Sequence, residues 1–369
     1  MLIPASSIAG YWYYLSSIAA DAAGNLYLAD PRPTRGYQNY PNSPKASSNN
    51  FLPAIFNLSA ATTPDFQTAE TLLEDWTTDT AMEDSTTSNS GRIATVNGGN
   101  TDTNPSGVHK LRKKHEMFDY SGIGSIALAK PSSSVLLYAA RSEAFFANVP
   151  AEVLIVPSPK VLRAAISTMR IPSNPNNNQG GETWGKPVSV SVSANQVYGG
   201  SDSVFVADRD NSAVYWYNAN STANSHANYL AKITGDGANS FGGTWQSGAY
   251  AGNAIGFPTV VAASTVMYNM IPRLYIALSS GGVVYYAKGS SMQPLGDGCA
   301  FAALSASNGI RAMVVDIFGN LYMAGVVSAG AEVHVCRKAA ASSPETFLGG
   351  DNLVNNGIQD PTGIAVTCQ

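Results

Sequence analysis

Apolar and polar positions along this chain alternate in short paired runs, and one such pair recurs. Between Leu15 and Asp30 the order is LSSIAAD, a turn AAGN, then LYLAD; between Ile310 and Gly325 it is IRAMVVD, IFGN, then LYMAG. Alternation of period two on both sides of a turn ending in Gly-Asn predicts a β-hairpin. The second strand of the pair carries a phrase closed by alanine, found at Leu26–Ala29, Leu137–Ala140, Val204–Ala207, Leu274–Ala277 and Leu321–Ala324. A third alternating run follows at Ser212–Asn218, Gly282–Lys288 and Ala331–Lys338. A fourth, ending in glycine, follows at Tyr229–Gly237, Met292–Gly298 and Glu345–Gly350. Four short antiparallel strands per unit, with units repeating along the chain, predict an all-β fold: one β-propeller domain over residues 1–369, of about six blades. In such a fold alanine lets neighbouring sheets approach near the axis, while the Tyr or Phe two positions earlier fills the wider gap outside.

The two ends of the chain extend this pattern. Ala5–Gly10 (ASSIAG) reads as an outer fourth strand and Pro361–Val366 (PTGIAV) as an inner first strand. Termini that meet in one shared blade remove the exposed sheet edges that invite aggregation. The alternative is that a neighbouring subunit completes that blade by strand addition, which would make the protein a homo-oligomer. Residues 31–50 and 62–120 lack the repeat and read as loop insertions, with a helix expected over Thr68–Trp76 (TAETLLEDW). Its signals are Thr68 as a cap and Leu72, Leu73 and Trp76 on one side.

Ile18–Asp30, Met313–Gly325 and Pro361–Val366 together resemble the NHL-repeat β-propeller pattern, roughly P-x-G-I-A-V-D-x-x-G-N-L-Y-V-A-D. Ile233–Ser264 is similar to the long Gly-rich crossover between blades in one branch of that superfamily. The resemblance implies a propeller and offers two enzymatic precedents. One is a copper- and zinc-dependent lyase with several histidines converging on the axis. The other is a gluconolactonase-like hydrolase holding a divalent cation, calcium here, with Glu, Asn and Asp from separate blades.

Composition narrows the surroundings more than the chemistry. Hydrophobic residues make up 44% of the chain and charged residues only 12%, about half the usual charged share. Ser, Thr, Asn and Gly supply the polarity, and a net charge of −4 argues against a nucleic-acid partner held through phosphates. No apolar run is long enough to span a bilayer as a helix. The neutral polar surface and two glycosylation-type triplets, Asn57-Leu58-Ser59 and Asn220-Ser221-Thr222, favour an extracellular or cell-surface location. The three cysteines, Cys299, Cys336 and Cys368, admit one disulfide or three thiols, at spacings unlike a zinc site.

His109, His115, His226 and His334 are scattered, which gives the lyase precedent no visible metal set. Among carboxylates, Asp21 and Asp316 sit at the repeat's turn, where aspartate caps backbone amides. Asp30 and Asp208 follow the alanine phrase nearer a loop face, and Asp208 has Asp210 beside it. Aromatic clusters at Tyr215-Trp216-Tyr217 and Tyr285-Tyr286 read mainly as core, whereas Tyr11, Trp12, Tyr13 and Tyr14 stand in a linker. The binding candidates are therefore Tyr11, Trp12, Tyr13, Tyr14, Asp208 and Asp210. No catalytic residue is singled out.

The reading this favours is a non-catalytic surface propeller that binds a protein or carbohydrate, or builds an assembly. Two alternatives stand beside it. One is a calcium-assisted hydrolase or lactonase using axial carboxylates, and the other is a filament or coat subunit exchanging terminal strands.

Overall fold

The computed structural model describes residues 16–21, 24–30, 54–58, 70–74, 123–129, 135–142, 151–157, 167–169, 171, 183–193, 202–219, 229–234, 255–264, 273–279, 282–287, 292–294, 309–327, 330–338, 347–354 and 362–366. These residues form antiparallel four-stranded sheets and, among them, no helix. The first sheet contains β1 (Ser17–Ala20), β2 (Leu26–Asp30), β3 (Ala54–Leu58) and β4 (Glu70–Glu74). The second contains β5 (Ile123–Ala129), β6 (Leu136–Arg141), β7 (Glu152–Pro157) and β8 (Ser167–Thr168). The third contains β9 (Pro187–Ser193), β10 (Ser203–Asp208), β11 (Ala213–Asn218) and β12 (Tyr229–Ile233). The fourth contains β13 (Pro258–Ala263), β14 (Arg273–Leu278), β15 (Val283–Ala287) and β16 (Met292–Pro294). The fifth contains β17 (Ile310–Val315), β18 (Leu321–Val327), β19 (Gly330–Lys338) and β20 (Phe347–Val354). In every sheet the strands lie side by side in chain order.

One expectation is corrected here. The stretch read as a helix over Thr68–Trp76 holds strand β4, whose Leu73 stands opposite Ile55 and Glu74 opposite Ala54. A helix of so few residues is marginal alone, and the free edge of β3 offers a ready ladder of backbone bonds. Tertiary pairing overrides the local propensity.

Strand alternation explains how the sheets stack. Along β10, Val204 and Val206 pack with Tyr138 and Ala140 of the second sheet. Their neighbours Phe205 and Ala207 pack with Leu274 and Ile276 of the fourth. Tyr275 and Ala277 of β14 meet Leu321 and Met323 of the fifth sheet, and Leu137 and Ala139 of β6 meet Tyr27 and Ala29 of the first. The second strands β6, β10 and β14 thus each send alternate side chains to two different neighbours, because both of their faces are buried. Fully burying a Leu, Ile or Phe contributes about 1.5–3 kcal/mol, so these four inter-sheet clusters dominate cohesion.

The first strands meet around one axis: β1 neighbours β5, β5 neighbours β9, β9 neighbours β13, and β13 neighbours β17. All five line a common cavity, together with residues 362–366. Sheets that radiate from a shared axis make this a β-propeller. The C-terminal segment 362–366 lies against β1 while lining the cavity alongside β17, so it joins the two ends of the series. A Cβ on Gly363 would stand 2.9 Å from the Ile18 nitrogen and 3.0 Å from Ile18 Cγ2. Glycine there permits the close approach. The N-terminal run Ala5–Gly10 expected to share that blade lies outside the described residues.

The repeated Asp-x-x-Gly-Asn turn has the same geometry in the first and fifth sheets. The Asn25 amide donates to Asp21 Oδ1 at 2.9 Å, and Asn25 Nδ2 donates to Oδ2 at 2.6 Å. The Asn320 amide donates to Asp316 Oδ1 and Asn320 Nδ2 to Oδ2, both at 2.8 Å. Gly24 at φ 82° and Gly319 at φ 83° supply the left-handed residue that each turn requires. Asp21 and Asp316 therefore act as turn caps.

Candidate axial site

The site forms where the first strands converge. In β1, β5 and β9 the residue opposite the alanine of the repeated phrase is a serine: Ser17 faces Ala29, Ser125 faces Ala140 and Ser189 faces Ala207. Each reaches the next first strand around the axis. The Ile126 amide donates to Ser17 Oγ at 3.0 Å, the Val190 amide to Ser125 Oγ at 3.1 Å, and the Val261 amide to Ser189 Oγ at 3.1 Å. Ser191 repeats the contact, accepting from the Ala263 amide at 3.0 Å. A first strand is a sheet edge, and its axis-facing amides would otherwise lack backbone partners. The serines supply them. At the equivalent positions of the fourth and fifth sheets stand Val260 and Ala312, and Val260 joins the apolar cluster between those sheets.

Inside this ring lies a cavity of about 160 Å³. Its wall mixes aliphatic groups with the hydroxyls of Ser17, Ser125, Ser189, Ser191, Thr259 and Thr362. Arg311 is the one charged residue among the described residues of that wall, and it is exposed. Thr259 occupies the same register level in β13 as Arg311 in β17, each one residue before the position facing the phrase's alanine. Among the described residues the lining contains no carboxylate, imidazole or thiol. What this wall can do is donate and accept hydrogen bonds through hydroxyls and hold negative charge at one guanidinium.

Of the residues singled out from the sequence, Asp208 and Asp210 are not among the cavity's described lining. Asp208 is fully buried at the end of β10. Its carboxylate accepts from the amides of Gly185 at 2.9 Å and Lys186 at 2.6 Å, and from Asn211 Nδ2 at 2.9 Å. Burial raises its pKa above the ordinary carboxylate value, against the opposing pull of those donors. Asp210 is exposed and pairs with its neighbour Arg209 at 3.0 Å. Tyr11, Trp12, Tyr13 and Tyr14 lie outside the described residues, as do His109, His115 and His226. Tyr215, Trp216 and Tyr217 are all buried, the first and last toward the second sheet and Trp216 toward the fourth. Glu152 forms a pair with the buried guanidinium of Arg141, and burial nevertheless raises its pKa.

A calcium site built from axial Glu, Asn and Asp does not fit the described residues. Among them no three His, Cys, Asp or Glu side chains converge on a point that could hold an ion. Asp21, Asp208 and Asp316 are each committed to turn or loop amides. Sequence reading missed the serines and Arg311. Position was the available signal, because a polar residue facing the phrase's alanine falls on the axis whatever its neighbours suggest.

No family model and no curated protein matches this chain. Among solved structures it is similar to virginiamycin B lyase from Staphylococcus aureus, at 6% identity and a TM-score of 0.39, covering 96% of this chain and 89% of that one. It is similar to the WD40 repeats of RRP9, at 8% identity and a TM-score of 0.46, covering 98% and 86%. It is also similar to a GH43 endo-arabinanase from Bacillus licheniformis, at 8% identity and a TM-score of 0.38, covering 92% and 98%. The reading of a non-catalytic binding or assembly module is corrected on this point: glycoside hydrolases and a lyase stand among these propellers. That reading is motivated by an uncharged polar surface, long loop insertions and no concentrated set of catalytic residue types, and a propeller serves catalysis as well as binding.

Proposed function

We propose that the protein is a hydrolase whose substrate, a hydroxylated compound of the lactone, ester or glycoside class, sits in the axial cavity. One observation carries this reading. The five described first strands and the segment 362–366 converge on a concave site whose described lining includes serines, threonines and Arg311 and no carboxylate. Convergent polar groups on an otherwise aliphatic wall are the usual form of a small-molecule site. In this reading the described lining binds and orients the substrate. No step is assigned to calcium, because Asp21, Asp208 and Asp316 are committed to turn and loop amides and no described carboxylate lines the cavity.

The turn geometry also supports a finer assignment of the repeat. Asp316 Oδ2 accepts from Asn320 Nδ2 and from the hydroxyl of Tyr322 at 3.2 Å, so Asp, Asn and Tyr of the D-x-x-G-N-L-Y phrase form one unit. The chemistry of this turn supports our proposal that the propeller is of the NHL type.

A panel of lactones, aryl esters and aryl glycosides, assayed with added calcium and with chelator, tests the function. Turnover of at least one class is expected, and it should be abolished by Ala312→Phe, which fills the cavity, with the far-UV spectrum unchanged. No turnover of any class, or full activity in Ala312→Phe, would contradict the proposal.

A further inference from the structure

The charge on the cavity wall narrows the ligand class. Arg311 is the second residue of β17, exposed in a cavity whose other lining residues are all uncharged. Among the described residues no carboxylate forms an ion pair with it, whereas Arg141 is paired to Glu152 and Arg209 to Asp210. An exposed guanidinium on a cavity lining whose other described residues are uncharged produces a local positive potential that attracts negative charge. Its planar fork matches the two oxygens of a carboxylate. One guanidinium balances one negative charge, which suits a carboxylate better than a phosphate dianion.

The hydroxyl pattern points the same way. Thr259 shares the register level of Arg311 on the neighbouring first strand, and Thr362 lines the same cavity from the C-terminal segment. Thr259 Oγ1 donates to the Ala277 carbonyl at 3.3 Å, which leaves its oxygen able to accept from a ligand hydroxyl. Cation and hydroxyls on one wall fit a compound bearing both a carboxylate and several hydroxyls.

We infer that the axial cavity is a binding site for acidic sugars, with Arg311 holding the carboxylate. This deepens the proposed function, resting on the axial cavity being the substrate site, and adds that the substrate or its product is anionic. Arg311 is a positioning residue for the ligand and takes no part in bond cleavage.

Calorimetric titration with D-glucuronate, D-glucose and D-glucose 6-phosphate, at low and raised salt, tests the inference without depending on turnover. The intact protein should bind glucuronate at least about tenfold more tightly than glucose, with affinity falling as salt rises. Arg311→Gln should remove that preference, and Arg311→Lys should restore part of it. Equal affinity for glucuronate and glucose, no binding of glucuronate, tighter binding of the phosphate, or an unaltered preference in Arg311→Gln would each overturn it. Carboxylate binding through Arg311 with no hydrolysis of any substrate class would sink the proposed function and leave the anion site standing.

Discussion

Tyr27 and Tyr275 carry the repeated phrase's aromatic position in the first and fourth sheets, and both rings are buried between sheets. Burial is the main cause that pushes each phenol up to about 12 from 10.0, helped at Tyr27 by the nearby Asp21 carboxylate. A folded-state pKa above the unfolded one means the native state holds its proton longer. The contribution to stability is complete below pH 10.0 and is lost as pH rises from there toward about 12. Phenolate absorbance should therefore rise in two stages, the later one together with loss of the β-sheet spectrum. A single early stage, with the fold intact and every tyrosine titrated, would show that these rings are not enclosed. At this scale much was legible from sequence: the roles of Asp21 and Asp316 follow from the turn they open. The burial of Asp208 was not, since its donors Gly185 and Lys186 lie more than twenty residues upstream of it.

Strand β9 shows how one element joins two neighbours. Its valines Val188, Val190 and Val192 alternate with Ser189, Ser191 and Ser193. Val190 packs in the cluster shared with the second sheet, while Ser189 and Ser191 bind amides of β13 and Ser193 donates to the Ser264 carbonyl. Replacing Ser189 by Ala removes the acceptor of a buried amide, which costs about 1–3 kcal/mol. In Ser189→Ala/Ser191→Ala, hydrogen exchange should accelerate at the Val261 and Ala263 amides. The Ser264 amide, which donates to the Arg273 carbonyl within the fourth sheet, should stay protected. Unchanged exchange at Val261 and Ala263 would show that the serines do not couple the blades. The alternation of β9 was readable as a strand, but not which face met which sheet. The serine face is an interface because it meets the neighbouring first strand β13. The error at Thr68–Trp76 has a related cause: a short amphipathic run is decided by the edge it can pair with, which lies outside its own sequence.

At the scale of the molecule, the five sheets among the described residues share one axis, and residues 362–366 approach β1 at Gly363. The repeat made the propeller legible, since each copy of the alanine phrase marks the second strand of one sheet. The axial site was less legible. Its wall is assembled from first strands, whose residues vary from sheet to sheet, and Arg311 has no counterpart charge at Gly124, Val188 or Thr259. Nothing local distinguishes it from a solvated arginine until the five strands are brought together. Closure holds that cavity in shape, so ring and site stand or fall together.

The most direct measurement is hydrogen exchange, resolved by segment, on the intact chain and on a chain lacking residues 361–369. If the C-terminal segment closes the ring, its removal should cost protection along β1 and β17, with the third sheet, farthest from the closure, retaining its own. Undiminished protection in β1 and β17 after the deletion would contradict the closed ring and the enclosed axial site with it.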